Sequence, residues 1–584
     1  MAQQIEDFIS GQMIKATPEE IEAVQVFSKI LVEDYGYPKE NIKTRPQHRV
    51  KARPSDTTKE YPIDIGVFSG SSKKDDELLI IVECKKSNRK DGLTQLQDYL
   101  RFARAEIGVW FNGKEKQFLR KVESKGRVEF VEIPNIPKYG QRVQDVGQFL
   151  RRDLKPAVNL KSIFRTMRNY LAGNVVGATR DEVLAQQLMN LIFCKIYDEK
   201  FTQPDHIVSF RAGIDESSKD VAKRIRDLFK RVCENYNDVL DATDSIDLDD
   251  HSIVYVVGEL QQFSLSESTR DAIGDAFEVF IDHALKGGQG QFFTPRNVVR
   301  MVVEIVDPSA TDRVLDPACG SGGFLVESLR HVWQGVEKRG AALNWPISEI
   351  EIEKQKVAIK NFRGIDKDYF LGKVAKAYMA LLGDGRGGIF CENSLDEPKN
   401  WQSKTQGEVA LGMFDVIVTN PPFGAKIPVK GDALLGQYKF GQKWTYQKKE
   451  DAWIMGKIKD QEAPQVLFIE RCLQFLKPGG KLGLVLPDGI LGNDKMGYIR
   501  KAIMEQAKIL AIVDVPIETF MPHTSTKTSV LVVQKLRESE VPGDYPVFVA
   551  LAETCGHNRR GDLTPDDDIA GIGAMYHKWR ADND

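Results

Sequence analysis

Residues 416–424, Val416-Ile417-Val418-Thr419-Asn420-Pro421-Pro422-Phe423-Gly424, set an amide, two residues of fixed φ and an aromatic ring at the end of a short apolar run. The run reads as a buried strand that stops at the proline pair. Such a set can activate a weak nucleophile. The exocyclic amine of adenine attacks poorly because its lone pair is delocalised into the ring. The side-chain oxygen of Asn420 and the carbonyl of Pro421 can accept its two N–H bonds and draw the lone pair onto nitrogen. Phe423 can stack on the base and hold it in line with a methyl donor. Pro421 and Pro422 stiffen the turn, so the acceptors are aimed in advance. A Pro-Pro turn at a strand end is common by itself. The second signal is a glycine-rich strand end about a hundred residues upstream.

There, the strand Asp312–Asp316 runs into Pro317-Ala318-Cys319-Gly320-Ser321-Gly322-Gly323-Phe324. Glycines let a backbone approach a ligand closely, and the helix that follows offers free N–H groups. Asp316 and Pro317 precede the glycines, and the Gly-x-Gly-x-x-Gly spacing of dinucleotide sites is absent. The turn therefore suits the amino-acid end of S-adenosylmethionine better than a pyrophosphate. Gly290-Gln291-Phe292-Phe293-Thr294-Pro295 opens this part of the chain, with Pro295 suited to the first turn of a helix over 296–306.

These three segments, in this order, resemble the DNA N6-adenine methyltransferases, and type I modification subunits above all, over residues 290–535. The resemblance implies a Rossmann-like sheet with S-adenosylmethionine over its first strand. It makes Phe293, Thr294, Asp316, Gly320, Ser321 and Gly322 cofactor contacts. It assigns the ribose hydroxyls to Asp366, at the end of the next strand. Asn393 falls where the family commonly has an Asp beside the cofactor's adenine. Phe520 matches the family's second aromatic against the base, or is a core residue. The Lys- and Gly-rich stretch 425–461, with Tyr438, Phe440, Trp444 and Tyr446, suits a loop that holds an extruded base or a phosphate backbone, and equally a structural insert.

A second constellation lies near the N-terminus. Two strand-like runs, 61–68 and 78–86, each carry an acid among β-branched residues, Asp64 and Glu83, where an unpaired carboxylate is costly. Two carboxylates on neighbouring strands are the hard oxygen ligands that Mg²⁺ prefers. Lys85, two residues beyond Glu83, points to the same face and can orient an attacking water or stabilise a phosphorane. The pattern Asp64…Glu83-x-Lys85, with Gln95-x-x-x-Tyr99 after it and Glu22 on the preceding helix, resembles the PD-(D/E)xK nuclease fold of type I restriction subunits. That resemblance implies a metal pair, Asp64 and Glu83, with Lys85 and Gln95 assisting, and the strand 108–113 next. The fold either cuts DNA or serves only to bind it or to dock a partner.

Between the two constellations the chain reads as helical. Apolar residues recur at helical spacing (Leu184, Leu188, Leu191, Ile192, Ile196), and further helices are expected over 220–239 and 266–285. This stretch, with Ala276-Phe277-Glu278-Val279-Phe280 near its end, is similar to the helical N-terminal domain of type I modification subunits. The expected fold class is thus α/β: a PD-(D/E)xK nuclease-like domain over 1–145, a helical connector over 146–289, a methyltransferase domain over 290–536, and a tail over 537–584 that can contact a partner.

With 584 residues the chain is long enough for three or more cores. A net charge of −3 confines any nucleic-acid surface to a local patch. Seven cysteines without a Cys-x-x-Cys pair argue for a reducing compartment and against a zinc ribbon. Met1–Glu6 does not follow the basic-then-apolar pattern expected of a leader, and no apolar run reaches the roughly 18 residues of a membrane span. A cytoplasmic protein with no membrane contact is expected. A tail of about fifty residues is too short for a target-recognition domain, and no Gly-x-x-x-x-Gly-Lys-Ser/Thr motor motif occurs. Sequence specificity is therefore expected from a separate subunit in a hetero-oligomer on double-stranded DNA, as in type I systems. A nuclease and a methyltransferase on one motorless chain resembles the type IIB and IIG restriction-modification enzymes. The rivals are a methyltransferase with an inert nuclease-like domain and a non-catalytic cofactor sensor.

Overall fold

The computed structural model describes residues 4–53, 59–89, 91–124, 127–157, 160–174, 181–236, 240, 244–267, 294–381, 388–424, 427–522, 524–541 and 543–583. The expected helix over 266–285, apart from its first two residues, lies outside these residues, as do Ala276–Phe280 and Gly290–Phe293. Two compact units are present: Met1–Asn235 with Thr243–Phe280, and Tyr236–Ala242 with Ile281–Asp584.

The first unit is built on a six-stranded sheet of β1 (Ile42–Lys43), β2 (Ile65–Phe68), β3 (Leu78–Cys84), β4 (Ile107–Phe111), β5 (Lys116–Ser124) and β6 (Arg127–Glu132), in the order β6-β5-β4-β3-β2-β1. Residues 65–68 and 107–111 are buried throughout, as continuous apolar runs demand of central strands. β3 and β4 run parallel, and helix α2 (Leu93–Phe102) makes the crossover that a parallel pair requires. Helix α1 (Gln25–Glu33) covers the other face through Phe27 and Leu31. Helices α3 (Leu160–Asn174), α4 (Asp181–Phe201), α5 (Ser218–Asn235) and α6 (Asp250–Leu260) complete the unit. Their polar interior is structural. Buried Lys195 pairs with Glu199 at 3.3 Å, and Glu199 also accepts the backbone N–H groups of Leu265 and Ser266.

The second unit carries an eight-stranded sheet. Its strands are β7 (Val314–Asp316), β8 (Phe362–Asp366), β9 (Ile389–Cys391), β10 (Phe414–Thr419), β11 (Leu476–Pro487), β12 (Ala507–Asp514), β13 (Thr528–Lys535) and β14 (Phe548–Leu551). The order is β9-β8-β7-β10-β11-β13-β12-β14, and only β13 runs antiparallel to its neighbours. From β7 the chain winds outward to β9, then returns to add β10 on the other side of β7. The pair β7 and β10 is therefore the point where strand order reverses, and a crevice opens there at the strands' carboxyl ends.

Helices cover both faces of this sheet. One core packs α7 (Arg296–Val306), α8 (Gly323–Ala342), α9 (Ile347–Asn361), α10 (Tyr369–Leu381) and α13 (Ile569–Asn583) on the sheet. The other packs α11 (Pro464–Phe475) and α12 (Gly497–Gln506) with the segment between β10 and α11. The tail that the sequence sets apart is thus woven into the unit: β14 pairs with β12, and α13 lies on α7. Its acidic run is used locally, since Asp567 accepts from the Asn297 amide at 3.1 Å and Asp568 takes the N–H groups of Glu553 and Thr554. Among the described residues no helix is long and apolar enough to cross a membrane.

Candidate functional site

Two strand ends meet at the switch point. β10 delivers Thr419 and then Asn420-Pro421-Pro422-Phe423; β7 delivers Asp316 and then the glycine turn that opens α8. Between them lies a cavity of about 290 Å³, near the lower end of the range for ligand pockets. Its walls bring together Thr294, Asp316, Gly320, Ser321, Asp366, Asn393, Asn420, Pro421, Pro422 and Phe423. Gly322 stands just behind the wall as the N-cap of α8 at φ +88°, where a Cβ would come within 3.3 Å of the Ala375 Cβ. A Cβ on Gly320 or Gly323 would meet nothing within 4 Å, so both leave open space along the turn. Phe293 lies outside the described residues.

The side chains are held from several directions. Asp316 is buried, and burial pushes its carboxyl up to about 7; its Oδ1 accepts the N–H of Ala318 at 3.1 Å. Asp366, at the end of β8, accepts the N–H of Gly320 at 2.8 Å and that of Asp368 at 2.9 Å, which ties the second strand end to the glycine turn. Asn393 folds its side chain back to accept the Leu395 N–H at 3.2 Å, and Ser394 donates to the Pro317 carbonyl at 2.5 Å.

Asn420 donates from Nδ2 to the hydroxyl oxygen of Thr294 at 3.0 Å, while its Oδ1 is buried and has no hydrogen-bond partner among the described residues. Burying an acceptor without a partner is costly, so this oxygen is a reserved position. Phe423 is buried and meets the ring of Phe520 edge-on, with centroids 6.3 Å apart and planes at 81°. Together these groups can accept two N–H bonds of an amine, stack on a base and enclose a cationic donor.

The aromatics between β10 and α11, exposed Tyr446 apart, pack within the unit. Tyr438 and Phe440 are buried, and Trp444 stacks on Tyr498 of α12 at 5.5 Å. Lys443, Lys448, Lys449 and Lys457 stay exposed on the hairpin 442–458.

In the first unit Asp64 stands one residue before the pair Ile65–Val82, and so opposite Glu83. Glu83 is buried, and Lys85 donates to its Oε1. The Cys84 N–H donates to Asp64 at 2.7 Å. Burial raises Asp64 to about 6; burial and the Asp64 charge raise Glu83 to about 7. Gly92 caps α2 at φ +103°, and a Cβ there would come within 2.6 Å of the Lys85 Cε, so only glycine lets the helix start against that lysine. Gln95 donates to the Tyr99 hydroxyl at 2.7 Å rather than to either acid. Glu22 accepts the Ser87 N–H, whereas Glu19, one turn earlier, adds its charge to those of Asp64 and Glu83. Among the described residues no group of three or more His, Cys, Asp or Glu is arranged to hold a metal.

The sequence reading missed the bond from Asn420 to Thr294, the role of Glu19, and the cavity walls supplied by Lys367, Pro464 and Phe468. The Gln-Phe-Phe-Thr-Pro segment was the available signal for the first. An acid at the start of the helix before the Asp64 strand was the signal for the second.

Residues 268–584, more than half of the chain, match the family described as "N-6 DNA Methylase". Residues 18–137 match "Type I restriction enzyme R protein N terminus (HSDR_N)". The type I restriction enzyme EcoEI methylase subunit of Escherichia coli is 28% identical over 285 residues, 48% of this chain and 50% of that protein. The MjaVII methylase subunit of Methanocaldococcus jannaschii is 27% identical over 412 residues, 68% of this chain and 64% of that protein. The chain thus spans about half to two thirds of the length of these relatives. Among solved structures, the type I restriction-modification system methyltransferase subunit from Streptococcus thermophilus superposes with a TM-score of 0.46 at 17% identity, covering 73% of this chain and 93% of that one. By the extent of the family match and the strand ends that carry it, this chain belongs to the N-6 DNA methylase family.

Proposed function

We propose that the chain methylates the N6 amine of adenine in DNA, as the modification subunit of a restriction-modification system with a separate specificity subunit. The observation that carries this reading is the buried, unpartnered Oδ1 of Asn420 in the wall of the cavity between the two strand ends. S-adenosylmethionine, when bound, supplies an electrophilic methyl group. Thr294, Asp316, Gly320, Ser321, Gly322, Asp366 and Asn393 would hold it, and Phe293 is proposed with them. The donor set fits: a buried carboxyl, open glycines and fixed amides suit a ligand bearing both an ammonium group and a sulfonium.

The chain's own work is then orientation and electrostatics. Asn420 Oδ1 and the Pro421 carbonyl accept the two N–H bonds of the target amine, which localises its lone pair toward the methyl group. Phe423 stacks on the base, and Phe520 braces Phe423 from the side. Pro421 and Pro422 keep the acceptors from swinging away. The amine's lone pair forms the C–N bond as the methyl–sulfur bond breaks with its electron pair left on sulfur, and the N–H proton passes to water. A base inside a duplex reaches this position only after extrusion, at a cost of a few kcal/mol.

A second activity, Mg²⁺-dependent phosphodiester cleavage, is favoured by a separate observation: half-buried Asp64, just before β2, stands opposite buried Glu83 on β3, with Lys85 bonded to Glu83. Asp64 and Glu83 would hold the ion, which neutralises developing phosphate charge. Mg²⁺ is commonly bound by one or two carboxylates together with substrate oxygens. Lys85 would orient the attacking water, with Gln95 and Tyr99 behind it. In this division residues 1–145 cut, 146–289 connect and 290–536 methylate.

The test is to incubate the purified chain, with and without the neighbouring specificity subunit, with mixed-sequence DNA. Tritiated methyl transfer and Mg²⁺-dependent cutting would be scored in parallel. Methyl transfer to adenine is expected, and it is expected to fall on the order of 10²–10³-fold in Asn420→Ala. Transfer at the wild-type rate in that variant would reject the reading.

A further inference from the structure

We infer that Thr294 is a positioning residue for Asn420: its hydroxyl oxygen holds the Asn420 Nδ2 so that Oδ1 is the atom presented to the target amine. The inference rests on the adenine reading above and adds a residue that works through another. An asparagine amide can present either end to the cavity, and the two ends have opposite consequences. Turned by 180° about its last torsion, it would offer NH₂ to the adenine NH₂, donor against donor, and withdraw the acceptor on which nucleophilicity depends. The observed arrangement resolves the choice, since Nδ2 donates to Thr294 at 3.0 Å and Oδ1 is left buried and unpartnered.

Thr294 is itself fixed from two sides. Pro295 follows it at φ −54° and caps α7, whose Val298, Val299, Val302 and Val303 are buried in the core. Asn297, one turn on, donates to the Cys555 carbonyl at 3.0 Å and to Asp567 at 3.1 Å, which clamps the start of α7 to the C-terminal segment. The hydroxyl therefore meets the amide from a rigid support 126 residues away in sequence. A hydroxyl has one proton to donate and two lone pairs that accept, so it holds an amide N–H while its own proton is committed elsewhere. Thr294 lines the cavity, so an acceptor bound there can take that proton and keep the oxygen in its accepting role toward Asn420.

Three chains of the full length test this: wild type, Thr294→Val (same shape, no hydroxyl) and Thr294→Ser (hydroxyl retained). Rates of methyl transfer at saturating S-adenosylmethionine and cofactor affinity by equilibrium dialysis would be measured separately. Thr294→Val is expected to lower the saturated rate about 100-fold, as misplacement of a reacting group does, with Thr294→Ser recovering most of it. An unchanged rate would overturn the inference. So would a loss confined to cofactor affinity, which would make Thr294 a simple cofactor contact. Proton exchange at the Asn420 side-chain amide, followed by selective ¹⁵N-asparagine labelling and assigned with Asn420→Ala, reads the bond without any turnover. Protection is expected with Thr and Ser and its loss with Val; equal exchange in all three would overturn the inference. Should wild type transfer no methyl group to adenine, the functional reading fails, while the exchange experiment still decides whether Thr294 holds the amide.

Discussion

Three carboxyls, those of buried Asp316 and Glu83 and half-buried Asp64, share a physical situation: each is raised well above the ordinary carboxylate range near pH 4, chiefly by desolvation. For an acid raised in the folded state, the neutral form is the favoured one. Its stabilising contribution is full below about pH 4 and is lost as pH rises toward the folded value. A bound cation reverses this by favouring the ionised form. The affinity for S-adenosylmethionine, which carries positive charge, is accordingly expected to rise between about pH 6 and pH 8 as Asp316 ionises. Asp316→Asn should weaken binding and flatten that profile, and equilibrium dialysis across the range checks both. At Asn420 the same scale gives a kinetic expectation. Removing an acceptor that acts on developing charge costs on the order of 10²–10³ in rate, so Asn420→Ala should slow transfer by that factor while cofactor affinity changes little.

Secondary elements decide whether such side chains arrive together. The β7–α8 turn needs a left-handed residue at Gly322, at φ +88°, with Ala375 of α10 close behind it. Gly322→Ala is expected to cost about 1–2 kcal/mol from backbone strain and to tilt the first turn of α8 off the cavity. A lower melting temperature together with weaker cofactor binding would show this. An unchanged melting temperature would mean that the turn relaxes without cost. The C-terminal segment matters at the same scale. β14 borders the sheet, and α13 lies against α7, with Gly573 so close to Glu304 that a Cβ would clash with its carboxylate. Truncation after residue 546 is expected to expose the apolar face of α7 and free Asn297, which would show as aggregation or lost methyl transfer even though no residue of the cavity has been removed.

Over the whole molecule, the two constellations belong to separate compact units with separate cores. Their chemistries should therefore be separable by substitution. Lys85→Ala is expected to abolish Mg²⁺-dependent cutting and leave methyl transfer at the wild-type rate. A parallel loss of methylation would show instead that the first unit serves the second. The absence of any cutting in wild type, with methylation intact, would leave residues 1–145 as a DNA-binding or docking module.

Local pattern alone determined much of this protein. The apolar run ending in Asn420-Pro421-Pro422-Phe423, the glycine turn after Asp316, the acid-bearing strands at Asp64 and Glu83, and the bounds of α7 are short-range features. Strand ends, turns and helix starts are fixed by residues within a few positions of one another, so their signals survive in a single sequence. What tertiary structure decided is long-range pairing, on which residue spacing is silent. It set Thr294 against Asn420 across 126 positions and Asp567 on Asn297 across 270, and it turned Glu22 onto the Ser87 N–H. It buried Tyr438, set Phe440 and Trp444 against Tyr498, left Tyr446 exposed, and folded a polar tail into the edge of the sheet. In each case the choice was made by which faces the sheet order left to be covered.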